Sequence, residues 1–421
     1  MNAAAKFQQP RPDEPRARFL IELARALGTY GTSANRIEEV IAYCADAFGY
    51  NAQTFTTPTS VFVSLEDDEG ELHTYLARVH PGETDMTKMI ALDRVFNNVL
   101  DGIISTREAI TEIKRVVSMP PRYPVWMIVI CFGIIGVCAG NFLGGAFKEM
   151  VASGIVGLMI GLLVQFAGRK REFSRLMEFL SGLGAAVVAG LLAIPFGGYM
   201  TTVPVIAGVI ILLPGLTLTI AMVELAMKHV VSGTARLAGA IMVLLVIGFG
   251  IVLGQAIVDH TVGSTPIVVP ERLAWYVDLA TIIVASTCMA ILFQAHLRHA
   301  WVMIVAGLLA FYSARYGSMY FGPEVGVLGA AMVVGVASNL YARIFDKPAL
   351  MMMLPGLIIL VPGSLGLRSL QMFMAHAPDD AMKANTTIDA VQSSFTVLVV
   401  GVALVVGLLL ANVVMPPRKV L

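Results

Sequence analysis

The sequence predicts an α-helical polytopic membrane protein, with about ten transmembrane helices arranged as two inverted five-helix repeats behind a small cytoplasmic α+β domain. Three observations carry that prediction. Of 421 residues, 57% are apolar and only 14% charged, with mean hydropathy +0.77, which a soluble domain of this length does not reach. The charges are also uneven: residues 1–120 are polar, whereas from Tyr123 to Asn412 charges fall mostly in short gaps between apolar runs. Finally, Ile210-Ile211-Leu212-Leu213-Pro214-Gly215 and Ile358-Ile359-Leu360-Val361-Pro362-Gly363 repeat one Pro-Gly break 148 positions apart, each in the middle of an apolar segment. Proline has no N–H to donate and crowds the carbonyl four residues back, so both helices should break at depth and free the carbonyls of Ile210 and Ile358. In hydrocarbon such backbone is tolerated only where protein or a water-filled cavity satisfies it, so paired breaks point to a site between two halves.

Taken in order, residues 1–18, with Pro10, Pro12 and Pro15 and no apolar run, read as a flexible tail and not a secretory signal. Residues 19–27 and 35–48 have helical periodicity; in the second, Ile37, Val40, Ile41, Cys44 and Phe48 share a face. The period then falls to two over 51–56, 59–66 and 71–80, with Asp67-Asp68-Glu69-Gly70 as a hairpin turn. Helical spacing returns over 86–100, and Ser105-Thr106-Arg107-Glu108 is a capping box opening a helix over 106–117. Met119-Pro120-Pro121 is a stiff hinge. Residues 19–118 should therefore form an α+β domain with a core of its own.

A spanning helix needs about 20 apolar residues. Segments 123–142, 149–168, 176–195, 202–223 and 236–257 make a first membrane repeat over 123–257, and 274–294, 301–314, 324–342, 349–370 and 389–412 a second over 274–412. The seventh segment is short. Met177-Glu178 leading to Gly184-Ala185-Ala186 matches Pro323-Glu324 leading to Gly329-Ala330-Ala331, each one helix upstream of its break. Five spans is odd, so the second copy enters upside down. With the front domain in the cytoplasm, the loops and tail on that side hold Arg169, Lys170, Arg171, Arg175, Lys228, Arg236, Arg298, Arg343, Lys347, Arg418 and Lys419, against Lys148, Arg272, Arg315, Arg368 and Lys383 opposite. That is the positive-inside bias, and it puts both termini in the cytoplasm. Glycines four apart, such as Gly136/Gly140, Gly157/Gly161 and Gly250/Gly254, suit close helix approach, sliding or fixed.

The chemistry should lie at the breaks. Pro214, Gly215, Thr217 and Thr219, then Pro362, Gly363 and Ser364, with a second kink at Pro355 and Gly356, are the substrate-binding candidates. Half-helix ends offer positive dipoles to a carboxylate and carbonyls to an ammonium, and a small zwitterion needs both. Asp278, a few residues inside the sixth segment, and the repeat-matched Glu178 and Glu324 are proton-coupling candidates, because low dielectric favours a protonated carboxyl. For the two glutamates an interfacial anchor is the equal alternative. Glu224 and Asp389, near segment ends, read as reaching headgroups. Lys+Arg and Asp+Glu each number 29, so net charge selects no acidic or basic partner, and no nucleic acid is expected. Cys44, Cys131, Cys138 and Cys288 lack metal-type spacing, and the front region has no phosphate loop, zinc spacing or nucleophile elbow. Neither metal nor cofactor is expected.

Gly31-Thr32-Ser33-Ala34-Asn35-Arg36-Ile37-Glu38, Thr57-Pro58-Thr59-Ser60-Val61-Phe62-Val63, Ala77-Arg78-Val79 and the two Pro-Gly helices, in this order, resemble the threonine/serine exporter family along nearly the whole chain. The resemblance implies a proton-driven carrier in the lipid bilayer of a bacterial inner membrane, exporting threonine and serine. It singles out Gly31, Arg36, Glu38, Thr57, Pro58, Thr59 and Arg78 as the front-domain motif. Some relatives resemble a dicarboxylate (succinate) exporter, which a basic residue near the breaks, such as Arg368, favours. A third reading is a membrane-tethered hydrolase or sensor in which Arg36, Glu38, Thr57, Thr59, His73, Arg78 and His80 converge in a cleft. A homo-oligomer is compatible with all three.

Overall fold

The structure, a computed structural model, describes residues 15–66, 72–82, 84–168, 171–263, 268, 271, 273–360, 363–374 and 380–416, with backbone alone at 171, 372–374 and 380–387. Residues 1–14, the expected turn at 67–70, Arg169, Lys170, Arg272, Val361, Pro362, Arg418 and Lys419 lie outside the described residues.

The front region runs α1 (Pro15–Thr29), α2 (Ala34–Ala47), β1 (Asn51–Thr57), β2 (Ser60–Glu66), β3 (Leu72–Arg78), α3 (Met86–Leu100) and α4 (Thr106–Ser118). Residues 15–18, expected in the tail, are helical: proline is tolerated in a first turn, and Ala17, Phe19 and Leu20 are buried. The strands form an antiparallel meander in which Thr57 faces Ser60, and Phe62 faces both Phe55 and Leu76. Period two then buries Val61, Val63 and Leu65 on one face. Pro58 and Thr59 are the loop of the first hairpin, whose Thr57 Oγ1 accepts the Ser60 N–H at 3.0 Å. The capping box closes as expected: Ser105 Oγ accepts the Glu108 N–H at 3.3 Å, and Glu108 Oε2 accepts the Ser105 N–H at 2.8 Å.

The remaining helices are α5 (Val125–Phe142), α6 (Phe147–Ala167), the short α7 (Arg171–Ser174), α8 (Met177–Ala193), α9 (Thr202–Val209), α10 (Gly215–Ala226), α11 (Val230–Thr261), α12 (Trp275–Leu292), α13 (Ala300–Phe321), α14 (Pro323–Phe345), α15 (Leu350–Leu360), α16 (Gly363–Met374) and α17 (Asp380–Val414). Among the described residues, 8 spans are long and apolar enough to cross a membrane, or 9 with the bent pair Thr202–Leu212 and Gly215–Ala226; α8 is a shorter apolar helix. By position these are the ten expected segments. The seventh is longer than expected, because Arg315, which interrupts its apolar run, is neutralised by Asp278 and the helix continues to Phe321.

The front region does not keep its core to itself. One buried cluster runs from Phe19, Leu23, Ile41 and Phe96 through Ala290 and Ala295 to Val302, Met303, Tyr341 and Met352. The sheet and α1–α4 alone have too little interior to enclose those side chains, so the ends of α12–α15 complete it.

Packing repeats between the two halves. The pairs α5–α6, α6–α9, α8–α11 and α10–α11 recur as α12–α13, α13–α15, α14–α17 and α16–α17. Across the halves α5 packs on α12, while α10 packs on α17 as α16 packs on α11, which is the exchange of partners that a pseudo-two-fold relation requires. Glycines sit where helices touch. A Cβ on Gly182 would strike the Ile247 carbonyl oxygen across the α8–α11 contact, and one on Gly254 would lie 2.6 Å from the Leu183 oxygen, whereas a Cβ on Gly239 meets nothing within 4 Å. Gly182→Val is therefore expected to cost about 1–3 kcal/mol by overpacking and to lower the melting temperature in detergent, while Gly239→Ala leaves it unchanged or raises it.

Candidate functional site

Pro214 breaks its span as expected. After α9 the chain tightens into a 3-10 turn, Ile210–Leu212, and α10 leaves at 60° to the first half. The Ile210 carbonyl does not lose its partner: the turn hands it the Leu213 N–H at 3.3 Å, so the missing proline donor is replaced by its neighbour. The Gly215 N–H is folded back on the Leu213 carbonyl at 2.7 Å, and the N–H groups of Leu216 and Thr217 have no backbone acceptor among the described residues. At the second Pro-Gly pair Val361 and Pro362 lie outside the described residues. Helix α15, described to Leu360, and α16, described from Gly363, together make one apolar span, Leu350–Gln371. Among the described residues a bend of more than 40° is found at Pro214 but not here, so the second half of the expected pair of breaks is not seen. Pro355 sits inside an uninterrupted α15, and a Cβ on Gly356 would press on Val334, so this pair belongs to helix packing and not to a cavity wall.

The two Pro-Gly segments meet at their glycines. A Cβ built on Gly363 lies 3.5 Å from the Gly215 Cα and from the Leu213 Cβ. Around that meeting point is a cavity of about 720 Å³, large enough for a small organic solute with water. Ile210 through Thr217, Ile358, Ile359, Gly363 and Ser364 line it, with Cys138 and Ser286 from the facing helices α5 and α12. Glu178 is the one charged side chain in its wall among the described residues, with Gln165 nearby in the lining. Thr219 does not line the cavity; its hydroxyl is buried without a partner among the described residues.

At one end the wall is made by Gly82 and Thr84 of the front region. At the other, Phe142 and Phe311, with ring centroids 5.6 Å apart, border both this cavity and a smaller one of about 80 Å³. The small cavity holds Asp278, whose Oδ2 is paired with Arg315 Nη1 at 2.5 Å and whose Oδ1 accepts from Asn141 Nδ2 at 2.8 Å. Arg315 also lies 5.9 Å from the Phe311 ring centroid, so the ion pair and the aromatic pair form one partition across α5, α12 and α13. Glu324 heads α14 at this far end, behind Gly322, and lines neither cavity.

Glu224, expected to reach headgroups, is wholly buried. Its Oε1 accepts the Ala34 N–H at 2.8 Å and pairs with Arg236 Nε at 3.1 Å, and its Oε2 accepts from Ser232 at 2.8 Å. Beside it, Glu38 accepts the Thr56 N–H at 2.9 Å and lies 3.5 Å from His229 Nδ1. Burial pushes the Glu38 carboxyl above its usual range, against the opposing pull of the Thr56 N–H and His229. The remaining motif residues have local duties. Gly31 adopts φ +89, and Thr84 Oγ1 lies 3.3 Å from where its Cβ would be; Arg36 pairs with Glu39. Thr57, Pro58 and Thr59 build a hairpin, and Arg78 is exposed on the edge strand. Of the residues expected to converge in a cleft, His73 stands apart: in the sheet register it lies five positions, about 17 Å, from the row of Thr57 and Arg78. Sequence reasoning missed Arg315, Phe142, Phe311 and Ser286, since nothing local distinguishes them from ordinary loop and packing residues.

The threonine/serine exporter family model matches residues 18–258, and a second, described as Threonine/Serine exporter, ThrE, matches 278–414. The chain is similar to pheromone-regulated membrane protein 10 of Debaryomyces hansenii, 27% identical over 88% of this chain and 38% of that protein. It is 25% identical to its Candida albicans counterpart over 96% of this chain and 38% of that protein, and 24% identical to that of Saccharomyces cerevisiae over 89% and 49%. The chain thus spans between about a third and a half of the length of these yeast relatives. No solved structure matches it.

Proposed function

Because the chain belongs to the threonine/serine exporter family, we propose that it is a secondary carrier that moves small zwitterionic amino acids, threonine and serine among them, out of the cytoplasm by alternating access driven by the proton gradient. The observation that supports this most is the meeting of the two Pro-Gly segments, Gly363 against Gly215 at the N-terminus of α10, in a cavity whose wall carries, among the described residues, one carboxylate, Glu178. The α10 N-terminus, with the Leu216 and Thr217 N–H groups lacking a backbone acceptor among the described residues, contributes about half a positive charge and suits a carboxylate. Glu178 then takes the ammonium, or a proton when the site is empty. A dicarboxylate would bring a second negative charge into a wall without a basic side chain among the described residues; Arg368, on α16, is not part of that wall.

The pseudo-two-fold exchanges Glu178, in the first turn of α8, with Glu324, in the first turn of α14. In the opposite state Glu324 takes the place Glu178 holds here, and the Phe142–Phe311 partition opens while the front-domain end closes. The charge bias of the loops supports a cytoplasmic front domain in an energised plasma membrane.

In vesicles with an imposed pH gradient, labelled threonine and serine are expected to cross at least tenfold faster than succinate, and a protonophore should abolish the gradient dependence. Glu178→Gln should weaken solute exchange, because the ammonium loses its carboxylate, and should lose the response to pH. Preference for succinate, or flux indifferent to the gradient, overturns the reading.

A further inference from the structure

Transport leaves the front-domain motif without a role, yet the structure ties that domain to both walls of the cavity mouth by contacts of opposite character. On one side the attachment is apolar and continuous: the domain's core runs into α12–α15, the Met86 N–H donates to the Phe293 carbonyl at 2.9 Å, and Thr87 Oγ1 donates to the Gln294 carbonyl at 2.5 Å. Tyr123 Oη donates to the Ala295 carbonyl at 2.7 Å, and Gln294 Oε1 accepts the Arg122 N–H at 2.8 Å. On the other side the attachment is small and its bonds are polar: β1 lies against α11, the Ala34 N–H donates to Glu224, and Glu38 stands opposite His229, at the elbow between α10 and α11.

We propose that this polar face of the front domain is a latch for the α10–α11 elbow, and that the domain rides on α12–α15 and releases the elbow each time the carrier changes state. The proposal rests on the carrier reading above. Parting the apolar side would expose a continuous core to water. Parting the latch costs less: it gives up the Ala34 N–H bond, the weak Glu38–His229 pair and the short β1–α11 contact, while Glu224 keeps Ser232 and Arg236, both on its own elbow, when Ala34 leaves. The latch also has leverage. Glu224 lies near the end of α10 opposite Gly215, so the helix is a rod of about 14 Å joining the latch to the binding point. The same domain supplies Gly82 and Thr84 to the cavity wall: the Gly82 N–H donates to the Thr29 carbonyl at 2.8 Å, and Thr84 packs against Gly31, at the start of the Gly31–Glu38 motif.

Amide hydrogen exchange on the full-length protein in nanodiscs compares the two sides directly. Exchange at Ala34 is expected to be at least tenfold faster than at Met86, and faster again in Glu224→Gln. Separately, Glu38→Cys with His229→Cys, placed in a variant whose four native cysteines are replaced by serine or alanine and joined by a short reducible thiol cross-linker, should lose vesicle flux at least tenfold and regain it on reduction. Equal or slower exchange at Ala34, or flux unchanged by the cross-link, overturns the latch. Absence of solute flux before cross-linking counts against the carrier reading alone, and the exchange comparison then decides the latch.

Discussion

Replacing Glu224 by alanine is expected to destabilise the protein by about 3–5 kcal/mol, the range for removing one partner of a buried ion pair. Glu224 is 0% exposed, and Arg236, 13% exposed, has its guanidinium against it. Without the carboxylate, Arg236 keeps its charge in a partly dry site, and the Ser232 hydroxyl and the Ala34 N–H lose their acceptor. Glu224→Gln keeps an oxygen for Ala34 and should cost about half as much. Glu224→Ala with Arg236→Met should recover part of the loss, because no charge is left uncompensated. Thermal unfolding in detergent measures all three. A Glu224→Ala melting temperature equal to wild type would show that the carboxylate contributes nothing to the join between front domain and membrane helices.

Breaking the Asp278–Arg315 pair is expected to open the far end of the cavity. The two side chains are 19% and 34% exposed, between the buried and surface cases, so the pair is worth about 1.4–2 kcal/mol, and its loss shifts the balance of states about ten- to thirtyfold. Cys138 reports that shift, since it lines the large cavity on the near side of the Phe142–Phe311 partition. In Asp278→Ala, an impermeant thiol reagent applied from the far side should modify Cys138 at least tenfold faster than in wild type. The charge swap Asp278→Arg with Arg315→Asp should restore protection. Equal modification in wild type and Asp278→Ala would remove the partition from the mechanism.

The sequence was most legible where one local rule suffices. Pro214 has no N–H wherever it sits, so the break in its span follows from that residue alone; the Ser105–Glu108 capping box and the alternation of β2 are equally local. Locality fails in the same places. The tightening of Ile210–Leu212 into a 3-10 turn, which gives the Ile210 carbonyl a new donor, depends on what packs around it. Pro355 stays within an unbroken helix because α13 and α14 confine that turn. Glu224 reads as an interfacial anchor only while the domain covering it is unknown: its acceptor role toward Ala34 spans 190 residues of sequence, and no periodicity carries information that far. Asp278 likewise shows its position in the sequence but not Arg315, 37 residues on, or Asn141, 137 residues back.

By itself, then, the sequence determined that this is a multi-pass helical membrane protein with a small α+β domain in front, and that one of its spans breaks at Pro214. Apolar length, period and the missing proline N–H are properties of short stretches and survive without a partner. Tertiary structure alone decided that Gly215 and Gly363 meet, that Glu178 faces their cavity while Glu324 does not, and that Glu224 holds the front domain. The energy of each depends on a dry contact between segments far apart in the chain, and that exists only once the helices have packed.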